Sequence, residues 1–127
     1  MAKGHRSQIK RERNEQKDNR ATAKLSFTRI SVQKACFVLD AIRGKDVQTA
    51  IGILTYSPRY ASSVILKLLK SAIANAEVKN MDPEKLYVDE CFAGQGPIMK
   101  RIRPRARGTA YRIEKRMCHL TVVLNER

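Results

Sequence analysis

The chain has 127 residues, enough for one modest core, and sets 26 Lys and Arg against 12 Asp and Glu for a net charge of +14. With an isoelectric point near 10.2, it fits nucleic acid first, and a membrane surface or an acidic protein second. The polar start Met-Ala-Lys-Gly-His-Arg-Ser-Gln lacks the apolar run of a secretory signal, and no segment approaches the roughly 20 apolar residues of a membrane span, so a cytosolic place is expected.

Residues 1 to about 20 are low in apolar content and rich in charge, with Lys3, Arg6, Lys10, Arg11, Arg13, Lys17 and Arg20 against Glu12, Glu15 and Asp18. They read as an extension that does not fold alone, either a solvated tail or a basic arm that orders on RNA phosphates. Residues 21–127 read as a single globular domain, with order beginning around the alternating segment Ala23 to Phe27, a short edge strand. From Ser31 the period becomes helical, with Val32, Ala35, Cys36, Leu39 and Ile42 behind a Ser cap and Gly44 as the stop. A second helix follows an Asp46 cap, with Val47, Ala50, Ile51 and Leu54 on one face, and ends at Ser57-Pro58. Pro58 suits the first turn of a third helix.

That third helix carries Ala61, Val64, Ile65, Leu68, Leu69, Ala72, Ile73 and Ala76, a wide apolar stripe over about five turns. Its small-residue end, Ser71 to Ala76, permits a neighbouring backbone to pack closely. After the turn at Asn80 to Pro83, residues 85–93 read as a strand. Met117 to Leu124 read as another, in which Cys118, Leu120, Val122 and Leu124 alternate with His119, Thr121 and Val123. These two are expected to pair antiparallel. The fold class is therefore α+β, three helices on a small antiparallel sheet, with a long β-hairpin at about 94–117.

The hairpin is a cationic ribbon. Between Pro97 and Arg116 stand Lys100, Arg101, Arg103, Arg105, Arg107, Arg112, Lys115 and Arg116 against Glu114 alone, a net +7 that is half of the chain's +14. Such density repels itself on a free globule and suits a polyanion, and the planar fork of arginine matches phosphate. Pro104 restricts the backbone near the tip, and Gly108 allows a turn that a Cβ obstructs. The arm is expected to reach about 25 to 30 Å from Gly96 to Pro104 at about 3.3 Å per residue, and a bare two-stranded ribbon of that length is marginal in water. A second basic focus is Arg43 and Lys45 at the end of the first helix, with Arg29 and Lys34 near its start. Arg43 and Lys45 also suit the helix dipole, whereas Arg29 and Lys34 gain nothing from it and are the better RNA candidates.

Catalysis finds no support. His5 lies in the polar start, and His119 alternates to the side opposite Cys118, where it reads as a structural or phosphate contact. The carboxylates are scattered, and no glycine-rich phosphate loop is present. Cys36, Cys91 and Cys118 are odd in number, widely spaced and set in apolar patterns, which predicts reduced, buried thiols; no CxxC pair offers a zinc site. No cofactor, metal or small-molecule substrate is implied. An architectural protein that bends DNA with a basic β-ribbon is the rival reading. A membrane-surface peptide is disfavoured because the basic element is a ribbon and the chain has no tryptophan.

Six segments carry a family resemblance: Ser31 to Lys34, Ile42 to Lys45, Leu69 to Glu77, Gly96 to Arg101, Pro104 to Gly108, and His119 to Val123. Together, in this order and spacing from about Thr22 onward, they resemble the ribosomal protein L-twenty-two family of the large ribosomal subunit. The resemblance implies a ribosome-bound, cytoplasmic, non-enzymatic protein that contacts several domains of large-subunit ribosomal RNA and acts early in subunit assembly. Its partners are that RNA, neighbouring ribosomal proteins and, transiently, the nascent peptide. It implies a hairpin whose tip, Arg103, Pro104, Arg105, Ala106, Arg107, Gly108 and Thr109, lines the peptide exit tunnel. It also implies RNA contacts by Arg29, Lys34, Arg43, Lys45, the eight ribbon cations and His119. The family usually has arginine where Cys36 stands and a basic residue where Thr109 stands.

Overall fold

The computed structural model describes residues 8–11 and 19–127. The expectation for residues 1–20 therefore falls largely outside the described residues; within it, residues 8–11 are helical and Arg20 is tied to the sheet. The elements run β1 (Ala21–Thr28), α1 (Val32–Ile42), α2 (Val47–Tyr56), α3 (Tyr60–Val78), β2 (Leu86–Pro104) and β3 (Ala110–Glu126), with one 3-10 turn, Ala106–Gly108, between the last two. The three strands form an antiparallel sheet in the order β1-β3-β2. This is the expected α+β arrangement.

Helices α1, α2 and α3 lie on the sheet through the faces their periodicity marks. Ala35, Leu39 and Ile42, Ala50 and Leu54, and Ile65, Leu69, Ala72 and Ala76 are buried, facing Leu86, Val88 and Cys91 of β2 and Cys118, Leu120, Val122 and Leu124 of β3. The small-residue end of α3 packs against β1, where Ala21 and Ala23 are buried as well. There Asn75 Nδ2 donates to the Thr22 carbonyl at 2.9 Å, a contact that larger side chains would hold apart.

Four local expectations change. Strand β1 is longer than Ala23 to Phe27 because its pairing with β3 runs from Ala21↔Leu124 to Thr28↔Cys118, across an irregularity at Phe27, whose φ is 57°. Ser31 and Asp46 occupy the cap positions of α1 and α2, yet neither side chain caps the backbone; the Asp46 carboxylate instead meets Arg127 at 3.3 Å. Pro58 precedes Arg59, the cap of α3, rather than entering its first turn, and the Ser62 hydroxyl bonds the Ser57 hydroxyl at 2.8 Å across this joint. Cys36 is only half-buried, since it sits at the edge of the buried stripe on α1; Cys91 and Cys118 are buried, and all three are free thiols.

Two irregularities in β2 position what lies beyond. Between Val88 and Glu90 an extra residue kinks the strand, so that one Arg20 nitrogen reaches both Asp89 (2.8 Å) and Glu90 (2.9 Å), which a regular strand would turn to opposite faces. Between Gln95 and Ile98 a second extra residue marks the point where the sheet ends and the arm begins. Gly96 lies there against Met117, where a Cβ would stand 3.1 Å from the Met117 carbonyl carbon and oxygen.

Candidate nucleic-acid interface

Past Cys118, the last β3 partner of β1, only β2 and β3 continue, as seven cross-strand pairs from Ile98↔Arg116 to Pro104↔Ala110. Directly opposed residues in an antiparallel ladder share a face. The register therefore puts Lys100, Arg112 and Arg116 on one face and Arg101, Arg103 and Lys115 on the other, with Arg105 and Arg107 at the tip. The ribbon presents three cations to each side, and among the described residues no helix covers either. Ile102 is 74% exposed within it. A strip meant to lie flat on an anionic surface would be charged on one face; this one is charged all round.

At the tip the Arg105 N–H donates to the Thr109 carbonyl at 2.9 Å, and the Gly108 N–H donates to the Arg105 carbonyl at 3.2 Å. Arg107 (φ 57°) and Gly108 (φ 72°) are both left-handed, a conformation costly for arginine and easy for glycine. Gly108 thus eases the turn through its backbone conformation rather than by room for the chain, since nothing stands within 4 Å of an added Cβ, and Pro104 closes the ladder opposite Ala110 just before it.

The structure gathers four of the predicted residues from two distant segments. Arg29 and Lys34, at the start of α1, share a groove of about 340 Å³ with Lys115 and Arg116 at the foot of the hairpin. Glu114 lines it too and accepts from Arg116 at 3.0 Å, which holds that guanidinium in place while lowering the local charge. A second opening of about 580 Å³ adjoins it, sharing Ser31 and Arg116.

Three predicted residues stand differently. Arg43 pairs with Asp40 at 2.9 Å and donates to the Cys91 carbonyl at 2.9 Å, so it fastens the end of α1 to β2. Lys45 is exposed, and its backbone carbonyl accepts from the Val88 N–H at 2.9 Å. His119 accepts the Phe27 N–H on Nδ1 at 3.1 Å, and the two rings meet edge to face at 4.8 Å; this half of the imidazole serves the bend in β1. The Cys91 thiol donates to the Leu39 carbonyl, and burial pushes both it and the Cys118 thiol above their ordinary range, which keeps them neutral rather than nucleophilic.

Tyr60 lies outside the sequence-based set although it borders the groove. The signal was present in its position, an aromatic that opens a helix beyond the apolar stripe, but nothing along the chain puts it next to residues 114–116. Among the described residues no cluster of His, Cys, Asp and Glu is placed to hold a metal ion, and no helix is long and apolar enough to cross a membrane.

Comparison with known proteins agrees with the geometry. The family described as Ribosomal protein L22p/L17e matches residues 23–125. The chain is 73% identical over 128 aligned residues to the Large ribosomal subunit protein uL22 of Lachnoclostridium phytofermentans, with all of both chains covered. It is 70% identical over 131 to that of Agathobacter rectalis, again over both full lengths. With the protein of the same name from Clostridium tetani, identity is 52% over 108 residues, covering 84% of this chain and 97% of the relative.

Proposed function

The chain belongs to the Ribosomal protein L22p/L17e family, and on that premise we propose that it binds large-subunit ribosomal RNA by threading its basic hairpin into it. It is a structural, non-enzymatic constituent of the large ribosomal subunit and is ribosome-bound in the bacterial cytoplasm. The finer reading has four parts: the protein contacts several domains of the RNA, neighbours other large-subunit proteins, acts early in subunit assembly, and lines the peptide exit tunnel with residues 103–109, where the nascent peptide passes.

The observation that supports threading is the division of the ribbon's cations between both faces. Charge on one face is satisfied by docking on a surface; charge on two faces is satisfied only when RNA surrounds the arm. Enclosure also supplies what an isolated hairpin lacks, since phosphates neutralise the arginines and bases can cover Ile102 and Tyr111. A tip without a helix beneath it is free to reach a cavity beyond the RNA.

Sucrose-gradient fractionation of lysate at low and high salt tests this reading. Retention on the large subunit through a high-salt wash is the expected result, because purely electrostatic adhesion is stripped as salt rises. Release into the free pool at high salt overturns threading. A preference for duplex DNA over structured ribosomal RNA at matched salt would favour the DNA-bending alternative.

A further inference from the structure

The groove at the foot of the hairpin contains more than phosphate ligands. Arg29, Lys34, Lys115 and Arg116 line it; Lys115 stands on the other face of the ribbon from Arg116, and the remaining three cations already account for a backbone contact. They do not account for Tyr60, which borders the same groove and is 72% exposed at the first position of α3. The fold gains little from it there. Aromatic surface continues beyond the groove, because the Arg59 guanidinium lies 4.9 Å from the ring of Phe37, itself 69% exposed and one turn along α1 from Lys34.

An exposed ring among cations is the arrangement that receives a nucleotide whose base is out of its helix. Duplex RNA hides the faces of its bases and offers a ring nothing to stack on, whereas an unpaired base stacks while its phosphate is held by cations. The volume, about 340 Å³, falls within the roughly 300–1,000 Å³ of small-ligand clefts. An acidic peptide would satisfy the cations but leave the ring unused. The Glu114 oxygen that Arg116 does not engage is an acceptor suited to the exocyclic amino group of a base.

We propose that this groove receives one unpaired, amino-bearing nucleotide of the bound RNA, its base stacked on Tyr60 and its phosphate held by Arg29, Lys34 and Arg116. The proposal rests on the RNA-binding reading above and deepens it.

The test uses the full chain and two probes, an octacytidylate strand and an abasic ribose-phosphate strand of the same length. Tyr60→Trp introduces the chain's only tryptophan, and its emission is expected to be quenched by the base-bearing strand and not by the abasic one. Tyr60→Ala is expected to weaken octacytidylate binding about tenfold, the loss of one stacked base, while abasic binding and its salt dependence stay unchanged. Tyr60→Phe is expected to retain affinity, and circular dichroism checks that each variant folds. Equal loss for both strands, or no loss for either, overturns the nucleotide site and leaves Tyr60 to a protein partner. Failure of the unaltered chain to bind large-subunit ribosomal RNA overturns both readings; normal binding to that RNA with no base-dependent effect at Tyr60 overturns this one alone.

Discussion

Gly96 and Met117 face each other where the sheet gives way to the arm, so closely that a Cβ on residue 96 would stand 3.1 Å from the Met117 carbonyl. The neighbour is backbone and has no rotamer to move. The close approach lies at the register shift where the hairpin leaves the body.

Gly96→Ala is therefore expected to push β2 from β3 and cost about 1–3 kcal/mol, the usual range for overpacking. Gly52→Ala is the contrasting change: Gly52 lies within α2, nothing stands within 4 Å of the added Cβ, and helix propensity favours alanine by about 1 kcal/mol. Thermal unfolding should move down for the first and up for the second. A rise for both would mean that the joint yields freely.

Replacing Arg103, Arg105 and Arg107 together with alanine removes three cations from the exposed end of the ribbon, where none is buried in the core. RNA affinity is expected to fall, and the logarithmic salt slope to become shallower by about 2–3, close to one per phosphate contact. The unfolding midpoint of the body should barely change. A drop of many degrees would show that the ribbon belongs to the cooperative core.

Arg43 and Lys45 lie two residues apart, and their side chains differ in their partners within the fold: Arg43 is bonded to Asp40 and to the Cys91 carbonyl, whereas Lys45 is exposed. Arg43→Ala loses the donor to the Cys91 carbonyl and the partner of Asp40, which is expected to cost about 1 kcal/mol of stability with little change in salt slope. Lys45→Ala should do the reverse, leaving stability intact and making the salt slope shallower by about 1. Urea unfolding beside RNA titration over a salt series distinguishes them, and identical behaviour of the two variants would refute the division.

The difference between these two residues shows where sequence reading stops. The helical stripes, the alternation of β3 and the charge of the ribbon are local patterns, and they located α1, α3 and the hairpin directly. Arg43 is cationic beside a helix end, and along the chain it looks the same as Lys45; its partner carbonyl is 48 residues away. The extra residues at Asp89 and near Gly96 were hidden because strand periodicity does not reveal which partner residue is skipped. The groove was hidden for the same reason, since it forms only when segments near 30, 60 and 115 meet. Ser62 is fully buried on α3, a place that hydropathy alone would not assign to serine without knowledge of the Ser57 hydroxyl.

The thiols carry a pH dependence. Burial raises Cys91 and Cys118 above their ordinary value of 9.0, so the folded state holds its protons more tightly than the unfolded chain. Their contribution to stability is complete below pH 9 and is lost as pH rises through the folded values. The unaltered chain is expected to lose more stability between pH 8 and pH 10.5 than a Cys91→Ala, Cys118→Ala double variant does. At pH 7.5 a maleimide reagent should modify Cys36 first and the other two only on unfolding. Equal loss in both proteins would mean that other groups govern the alkaline limb.

Arg20 gives the boundary of the folded body a sharp test. Its guanidinium bridges Asp89 and Glu90, and its carbonyl accepts Lys79 Nζ at 2.7 Å, so one residue links the start of β1 to the kink in β2 and the end of α3. A chain shortened by residues 1–18 retains this link, and one shortened by residues 1–20 loses it. Partly exposed ion pairs are individually worth about 0–1 kcal/mol, but here two carboxylates brought together by the kink would be left facing each other. The shorter chain is therefore expected to unfold several degrees below the longer one, and high salt, which screens the repulsion, should narrow the gap. If the two truncations unfold together at low salt, the link is ornamental and the body begins at Ala21.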